Sequence, residues 1–114
     1  MDFEITQETN YAIIKTKVEK LDANNSPTLK SELLVLNKNG INNLVLDLSD
    51  TRYCDSSGLS AVLTANRLCR DSSGEFIMCG LQEPVLKMVK ISQLDRVLRI
   101  VSDQQTAVSE LTAV

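Results

Sequence analysis

Two stretches near the start of the chain have the hydrophobic and polar pattern of β-strands. Residues 3–7 alternate apolar and polar side chains, and residues 11–18 are rich in β-branched residues. Thr9-Asn10 between them suits a tight turn, so we expect an antiparallel pair. Further along, residues 43–48 form a short and nearly continuous apolar run, which predicts a strand buried on both faces.

Apolar residues recur at helical spacing in several later segments. The first helix is expected to begin with Ser26 as N-cap and Pro27 as its first helical residue, and to end at a left-handed Gly40. The second helix covers residues 59–70. The remaining predicted elements are a strand at 75–80, a helix from Pro84, an edge strand at 97–101 and a last helix capped by Asp103.

The elements follow in the order β-β-α-β-α-β-α-β-α. This order predicts an α/β fold in which helices pack on a mixed central β-sheet. The chain has 114 residues, of which 43% are hydrophobic and only 4% aromatic. We therefore expect a single domain spanning residues 1–114, with a core built from Leu, Val and Ile.

Charge and the rarer residue types argue against several classes of protein. A net charge of −3 disfavours a nucleic-acid partner, which would require a basic face. The chain has no His and no CxxC pair, so we expect no metal site and three buried free thiols, at Cys54, Cys69 and Cys79. Neither a signal peptide nor an apolar run of membrane length is present, so we expect a cytoplasmic protein without a membrane partner.

The tetrapeptide Asp-Ser-Ser-Gly occurs twice, at residues 55–58 and 71–74. The second copy lies between a helix and a strand, where Gly74 is expected to supply a positive φ in a simple turn. The first copy lies between a buried strand and a helix N-terminus, a place that favours an anion. Helix capping by Asp55 or a serine would explain the first copy without any further function.

Catalysis by the first copy would require groups that the chain lacks. A serine nucleophile needs a base, and a Ser-His-Asp triad is impossible without His. The P-loop pattern for binding phosphates is also absent. Asp47, Asp50 and Asp55 could together bind Mg²⁺, so a magnesium-dependent phosphatase is the enzymatic alternative. We expect no enzyme activity, no catalytic residue and no cofactor.

A serine of residues 55–58 could instead be modified by another protein. A phosphate adds about −1.5 to −2 charges. A helix N-terminus tolerates that charge, whereas the neighbouring Asp55 repels it. We therefore expect little change in the domain and a large change at any interface that covers this loop, as in a reversible binding switch.

Residues 44–48 read Leu-Val-Leu-Asp-Leu, and residues 53–59 read Tyr-Cys-Asp-Ser-Ser-Gly-Leu. Together they resemble the central signature of the STAS domain, and more narrowly that of bacterial anti-sigma factor antagonists. Leu21-Asp22 with residues 26–29 resembles the segment around the first helix of that family. Residues 84–94 resemble its third helix, so the resemblance covers nearly the whole chain in order.

The resemblance implies a STAS-like fold and a regulatory role. Members of the family bind an anti-sigma factor that is also a histidine-kinase-like ATPase and serine kinase, and this binding releases the sigma factor. The kinase phosphorylates the first serine of the Asp-Ser-Ser element, and a metal-dependent phosphatase restores binding. By position the phosphorylated serine is Ser56, and the partner-binding residues are Asp22, Asp55, Ser56, Ser57 and Gly58.

Two positions depart from the family pattern. Ser60 stands where Gly usually follows Asp-Ser-Ser-Gly-Leu, and since both residues are small we expect little effect. Glu19 stands where Gly is common in the turn before Leu21-Asp22, and this difference affects the shape of the surface around that turn and so the choice of partner. STAS domains also serve as scaffolds or small-ligand modules in transport and stress-signalling complexes, which is the alternative function. We expect a monomer.

Overall fold

The computed structural model describes residues 2–112, which form a mixed five-stranded β-sheet with helices on both faces. The strands are β1 (Phe3–Gln7), β2 (Ala12–Thr16), β3 (Lys20–Leu21), β4 (Leu44–Asp47), β5 (Tyr53–Cys54), β6 (Phe76–Cys79) and β7 (Arg99–Val101). The helices are α1 (Ser26–Lys38), α2 (Ser56–Asp71), α3 (Glu83–Ile91) and α4 (Gln104–Thr112), with a 3₁₀ turn at Leu94–Arg96.

The large sheet has the strand order β1-β2-β4-β6-β7. β1 pairs antiparallel with β2, and the other neighbours are parallel. The predicted hairpin, the mixed sheet and the edge position of the last strand are therefore confirmed. The sequence did not predict the second sheet, a parallel ribbon of β3 and β5 in which Leu21 lies opposite Cys54.

Successive residues of the central strands face opposite sides of the sheet. Leu44 and Leu46 join the larger core cluster beneath α1, α2 and α3, whereas Val45 joins a smaller cluster with Ala107 of α4. All four residues of β4 are buried, which confirms the predicted strand buried on both faces. Among the helices of residues 2–112, none has both the length and the apolar character needed to cross a membrane.

One predicted end of α1 is confirmed and the other is wrong by one residue. Gly40 has φ +86°, and the amides of Gly40 and Ile41 donate to the carbonyls of Asn37 and Leu36, which is a Schellman ending. At the other end the N-cap is Asn25, not Ser26. Ser26 is buried, and its hydroxyl donates to the carbonyl of Asp22 instead of accepting an amide of the helix.

The second Asp-Ser-Ser-Gly copy is the expected turn, but its left-handed residue is Ser73, not Gly74. Ser73 has φ +63°, and the amides of Ser73 and Gly74 close the end of α2 on the carbonyls of Arg70 and Cys69. Gly74 is required for another reason, because a Cβ there would lie 1.9 Å from the carbonyl oxygen of Asn42. The glycine therefore permits a close approach of two backbones.

Candidate functional site

The first Asp-Ser-Ser-Gly copy forms the start of α2, with Asp55 as its N-cap. The Asp55 carboxylate accepts a hydrogen bond from the amide of Gly58 at 3.0 Å. Ser56, Ser57 and Gly58 then form the first helical turn. The capping role considered from the sequence therefore belongs to Asp55, which relieves both serines of that task.

The β3–β5 ribbon places Asp22 at the same end of the molecule as Asp55. Each aspartate directly follows its ribbon strand, and the Asp55 amide donates to the Leu21 carbonyl at 3.2 Å. The Asp22 side chain accepts from the amide of Asn24 at 2.9 Å, and the Asp22 amide donates to the side chain of Asn25. The ribbon thus brings Asp22 to the same surface as Asp55, Ser56 and Ser57 although it is distant from them in sequence, whereas the predicted site residue Gly58 is buried.

Gly58 is the contact point between the ribbon and α2. A Cβ at this position would lie 2.5 Å from the carbonyl oxygen of Leu21 and 2.6 Å from the Sγ of Cys54. Such distances are shorter than any real side chain allows, so only glycine permits α2 to start this close to β3. The glycine of the motif is therefore structural, and it fixes where the neighbouring serines lie.

Ser56 is exposed and Ser57 is half-buried. Among the hydrogen bonds of residues 2–112, none involves the Ser56 hydroxyl, whereas Ser72, the equivalent serine of the second copy, accepts from Asn37 at 3.0 Å. Ser56 is therefore the accessible hydroxyl, at the first position of a 16-residue helix. The two identical tetrapeptides differ in what their first serine contacts.

A groove of about 340 Å³ runs beside Ser56, between the starts of α1 and α2. It is lined by Ala23, Ser26, Pro27, Lys30, Ser56, Ser57 and Ser60. The Lys30 ammonium donates to the Ser60 hydroxyl at 3.2 Å across this groove. Lys30 could not be singled out from the sequence, because helical spacing does not tell which two helices lie side by side.

The rim beside the ribbon carries a cluster of charged and aromatic side chains. Lys20 and Arg52 lie over the exposed ring of Tyr53, at 6.0 and 5.9 Å from its centre. Glu19 pairs with Arg52 at 3.7 Å, and its carbonyl accepts the amides of Arg52 and Tyr53. The backbone of Glu19 has no positive φ, so this position does not require the glycine that is common in the family.

The enzymatic alternative relied on Asp47, Asp50 and Asp55, and these three are engaged separately. Asp47 is buried, and its two oxygens accept from the Ser49 amide at 2.9 Å and from the Gln104 side chain at 3.0 Å. Asp50 lies 3.9 Å from Lys15 and from Lys17. Within residues 2–112 no three potential metal-binding side chains of His, Cys, Asp or Glu come together. The geometry therefore gives no support to a magnesium site.

The three cysteines are free and buried, as predicted. Burial raises the pKa of the Cys54 thiol to about 12, and the nearby Asp55 carboxylate adds to that rise. Burial likewise raises the pKa of Cys69 and of Cys79 to about 12. The thiol closest to the site is therefore protonated at neutral pH and is a packing group under Gly58.

A family model described as "STAS domain" matches residues 2–107. The chain is similar to the anti-sigma F factor antagonist of Paenibacillus polymyxa, with 24% identity over 100% of this chain and 99% of that protein. It is 30% identical to the anti-sigma-B factor antagonist of Listeria monocytogenes over 71% of each chain. The solved structure of the anti-sigma factor antagonist SpoIIAA in its unphosphorylated form has the same fold, with a TM-score of 0.85, 17% identity, and 98% and 97% of the two chains covered.

Proposed function

The chain belongs to the STAS domain family, and we propose that it is an anti-sigma factor antagonist whose binding is switched off by phosphorylation of Ser56. In its unphosphorylated form it binds an anti-sigma factor and so releases a sigma factor. The similar proteins of Paenibacillus polymyxa and Listeria monocytogenes, which match along most or all of the chain, are anti-sigma factor antagonists by name, and this supports the role. It assigns the protein a regulatory function and no catalysis of its own.

One observation carries the choice of Ser56. Its hydroxyl is exposed, and among residues 2–112 it makes no hydrogen bond, since Asp55 has taken over the capping of α2. A kinase can therefore reach Ser56 without breaking a helix cap. Ser72 is engaged with Asn37, and Ser73 holds the left-handed turn, so the second copy is the poorer acceptor.

Phosphorylation would change the surface much more than the fold. The Ser56 Oγ forms a bond to the γ-phosphorus of ATP, the bond from that phosphorus to the ADP oxygen breaks, and a base of the kinase takes the hydroxyl proton. The new group brings about −1.5 to −2 charges to a surface that already carries Asp22 and Asp55. A partner that fits the unphosphorylated loop would have to bury the added charge beside these two carboxylates, which weakens binding strongly.

The partner in this scheme is an anti-sigma factor with a histidine-kinase-like serine kinase domain. A metal-dependent serine phosphatase reverses the modification, as water attacks the phosphorus and the Ser56 oxygen leaves with a proton. Asp22, Asp55, Ser56 and Ser57 form the surface that the partner covers, and the buried Gly58 contributes by fixing where these residues lie. The exposed Tyr53 lies on the adjacent rim. The switch operates in the cytoplasm, where sigma factors act, and we propose that the protein is a monomer there.

Peptide-level mass spectrometry on the protein isolated from its native cells tests this function directly. We expect one phosphate, on Ser56, that phosphatase treatment removes. The same cells should yield a Ser56→Ala variant without phosphate and stably bound to an ATP-dependent kinase, whereas the matched Ser72→Ala control should behave like the unsubstituted protein. A phosphate on Ser72 or Ser73 would overturn the site. The absence of phosphate under every growth condition would favour the scaffold or small-ligand role.

A further inference from the structure

Lys30 lies beside the proposed phosphorylation site and has no ionic partner among residues 2–112. Its ammonium donates to the Ser60 hydroxyl at 3.2 Å, across the groove that Ser56 also lines. Among the residues that line this groove, Lys30 alone is ionisable. None of the salt bridges found within residues 2–112 includes Lys30. A cation is thus held near Ser56 by a neutral group.

The distance between the Lys30 ammonium and a group on Ser56 is within the reach of a lysine side chain. Ser60 follows Ser56 by one helical turn on the same face of α2, so their Cβ atoms are about 5–6 Å apart. Lysine has a flexible stem of four carbons and three donor hydrogens, so its ammonium can move over such a distance by changing rotamer. Lys30 is half-buried on α1, which packs parallel to α2.

We propose that Lys30 is the internal counterion of phosphorylated Ser56, which it binds after releasing the Ser60 hydroxyl. This inference rests on the proposed function, since it presumes a phosphate on Ser56. The exchange is favourable because a hydrogen bond between ammonium and phosphate is charge-assisted, whereas the bond to Ser60 has a neutral acceptor. In the unphosphorylated protein Ser60 keeps the ammonium beside the groove, a contact that a glycine at this position could not make.

The counterion would change the position and the ionisation of the phosphate that a partner meets. Two carboxylates, Asp55 at the N-cap and Asp22 after β3, repel the phosphate, and Lys30 from α1 opposes them. The phosphate would be drawn towards the α1–α2 groove and away from solvent. It would also be fully ionised at a lower pH, since a nearby positive charge stabilises the dianion.

The test uses the full chain with phosphoserine inserted at position 56 during translation, so that no kinase is required. The ³¹P resonance is followed from pH 4.5 to 8 in low salt. We expect Lys30→Met to move the titration midpoint of the phosphate upward by about 0.5 pH unit, and Lys30→Arg to restore the lower midpoint. Lys38→Met, at the exposed far end of the same helix, is the matched control and should leave the midpoint in place.

Two outcomes would overturn the inference. The first is a midpoint in Lys30→Met that coincides with that of the Lys38→Met control. The second is an equal upward movement in Ser60→Ala, which would assign the effect to the hydroxyl and not to the ammonium. Both are separate from a failure of the proposed function, which would appear in native cells as phosphate on another residue or as the absence of phosphate. Unchanged amide spectra of the unphosphorylated variants verify that each one is folded.

Discussion

The amide of Gly58 donates a hydrogen bond of 3.0 Å to the carboxylate of Asp55. This bond closes the start of α2 around Ser56 and Ser57, which lie between the two residues and take no part in it. The acid and the glycine of the motif therefore fix the helix start, while the first serine stays accessible. The residues that shape the helix start thus flank the proposed phosphorylation site without using its hydroxyl.

Replacing Asp55 with Ala should lower the free energy of unfolding by about 1 kcal/mol, because the Gly58 amide loses its capping acceptor. Asp55→Asn retains a side-chain oxygen at the same place and should cost only a few tenths of a kcal/mol. Urea unfolding followed by circular dichroism measures both values. An equal loss in the two variants would mean that the negative charge, and not the capping geometry, stabilises α2.

Replacing Gly58 with Ala should destabilise the fold by about 1–3 kcal/mol, the usual cost of overpacking a filled site. The added methyl would meet the Leu21 carbonyl oxygen, which belongs to the backbone of the ribbon and cannot rotate away. The neighbouring Ser57→Ala is the control and should stay within about 0.5 kcal/mol of the unsubstituted protein. Thermal unfolding of both variants would refute the close-packing explanation if their midpoints coincided.

Ser73→Gly should stabilise the protein by about 0.5 kcal/mol, because glycine adopts the positive φ of this position without strain. Ser72→Gly should instead lower stability, since Ser72 has φ −102°, gains no such relief and loses the hydrogen bond from Asn37. Gly74→Ala should be strongly destabilising because of the Asn42 carbonyl. Denaturant midpoints of the three variants give the order, and a stabilising Gly74→Ala would contradict the structure.

The buried thiols should make the protein less stable at high pH. Their pKa values rise from the ordinary 9.0 to about 12 in the folded chain. Above pH 9 the unfolded chain therefore loses thiol protons that the folded chain keeps, and stability falls as the pH rises towards 12. The measurement is the urea midpoint between pH 8 and 10.5, compared with that of Cys79→Ala.

Cys79→Ala is the right comparison because Lys and Tyr side chains titrate in the same range. The variant lacks one of the three thiols, so its midpoint should fall less steeply with pH than that of the unsubstituted protein. Parallel pH profiles would show that the Cys79 thiol does not contribute. At pH 8 a thiol-labelling reagent should react slowly with the folded protein, since all three sulfurs are buried and protonated.

Long periodic segments allowed most of the fold to be predicted from sequence. The run at residues 43–48 had to be a central strand because it is apolar on both faces, and Gly40 marked the end of a helix by its conformational freedom. The β3–β5 ribbon could not be predicted in this way, because two-residue strands have no periodicity. Ser26 was misassigned because burial, which a sequence does not display, directs its hydroxyl to Asp22.

The candidate site could be predicted only in part, because a sequence does not display contacts between distant segments. Asp55, Ser56, Ser57 and Gly58 are consecutive and precede a helix with a clear apolar stripe, so their location followed from local pattern. The need for glycine at position 58 could not be predicted, because it comes from the Leu21 carbonyl oxygen, which is close in space but distant in sequence. Lys30 could not be distinguished from the other charged residues of α1, because its contact with Ser60 depends on α2 lying beside α1.

The β3–β5 ribbon also determines when the proposed partner surface of Asp22, Asp55, Ser56 and Ser57 forms during folding. Its two strands lie on either side of α1 and β4 in the sequence, so their pairing requires closure of a long chain segment. A nascent or unfolded chain contains the Ser56 hydroxyl but lacks the surface that Asp22 completes. A kinase that contacts both strands of the ribbon would therefore phosphorylate only the folded protein. An unfolded chain would not be phosphorylated and would not compete for the partner.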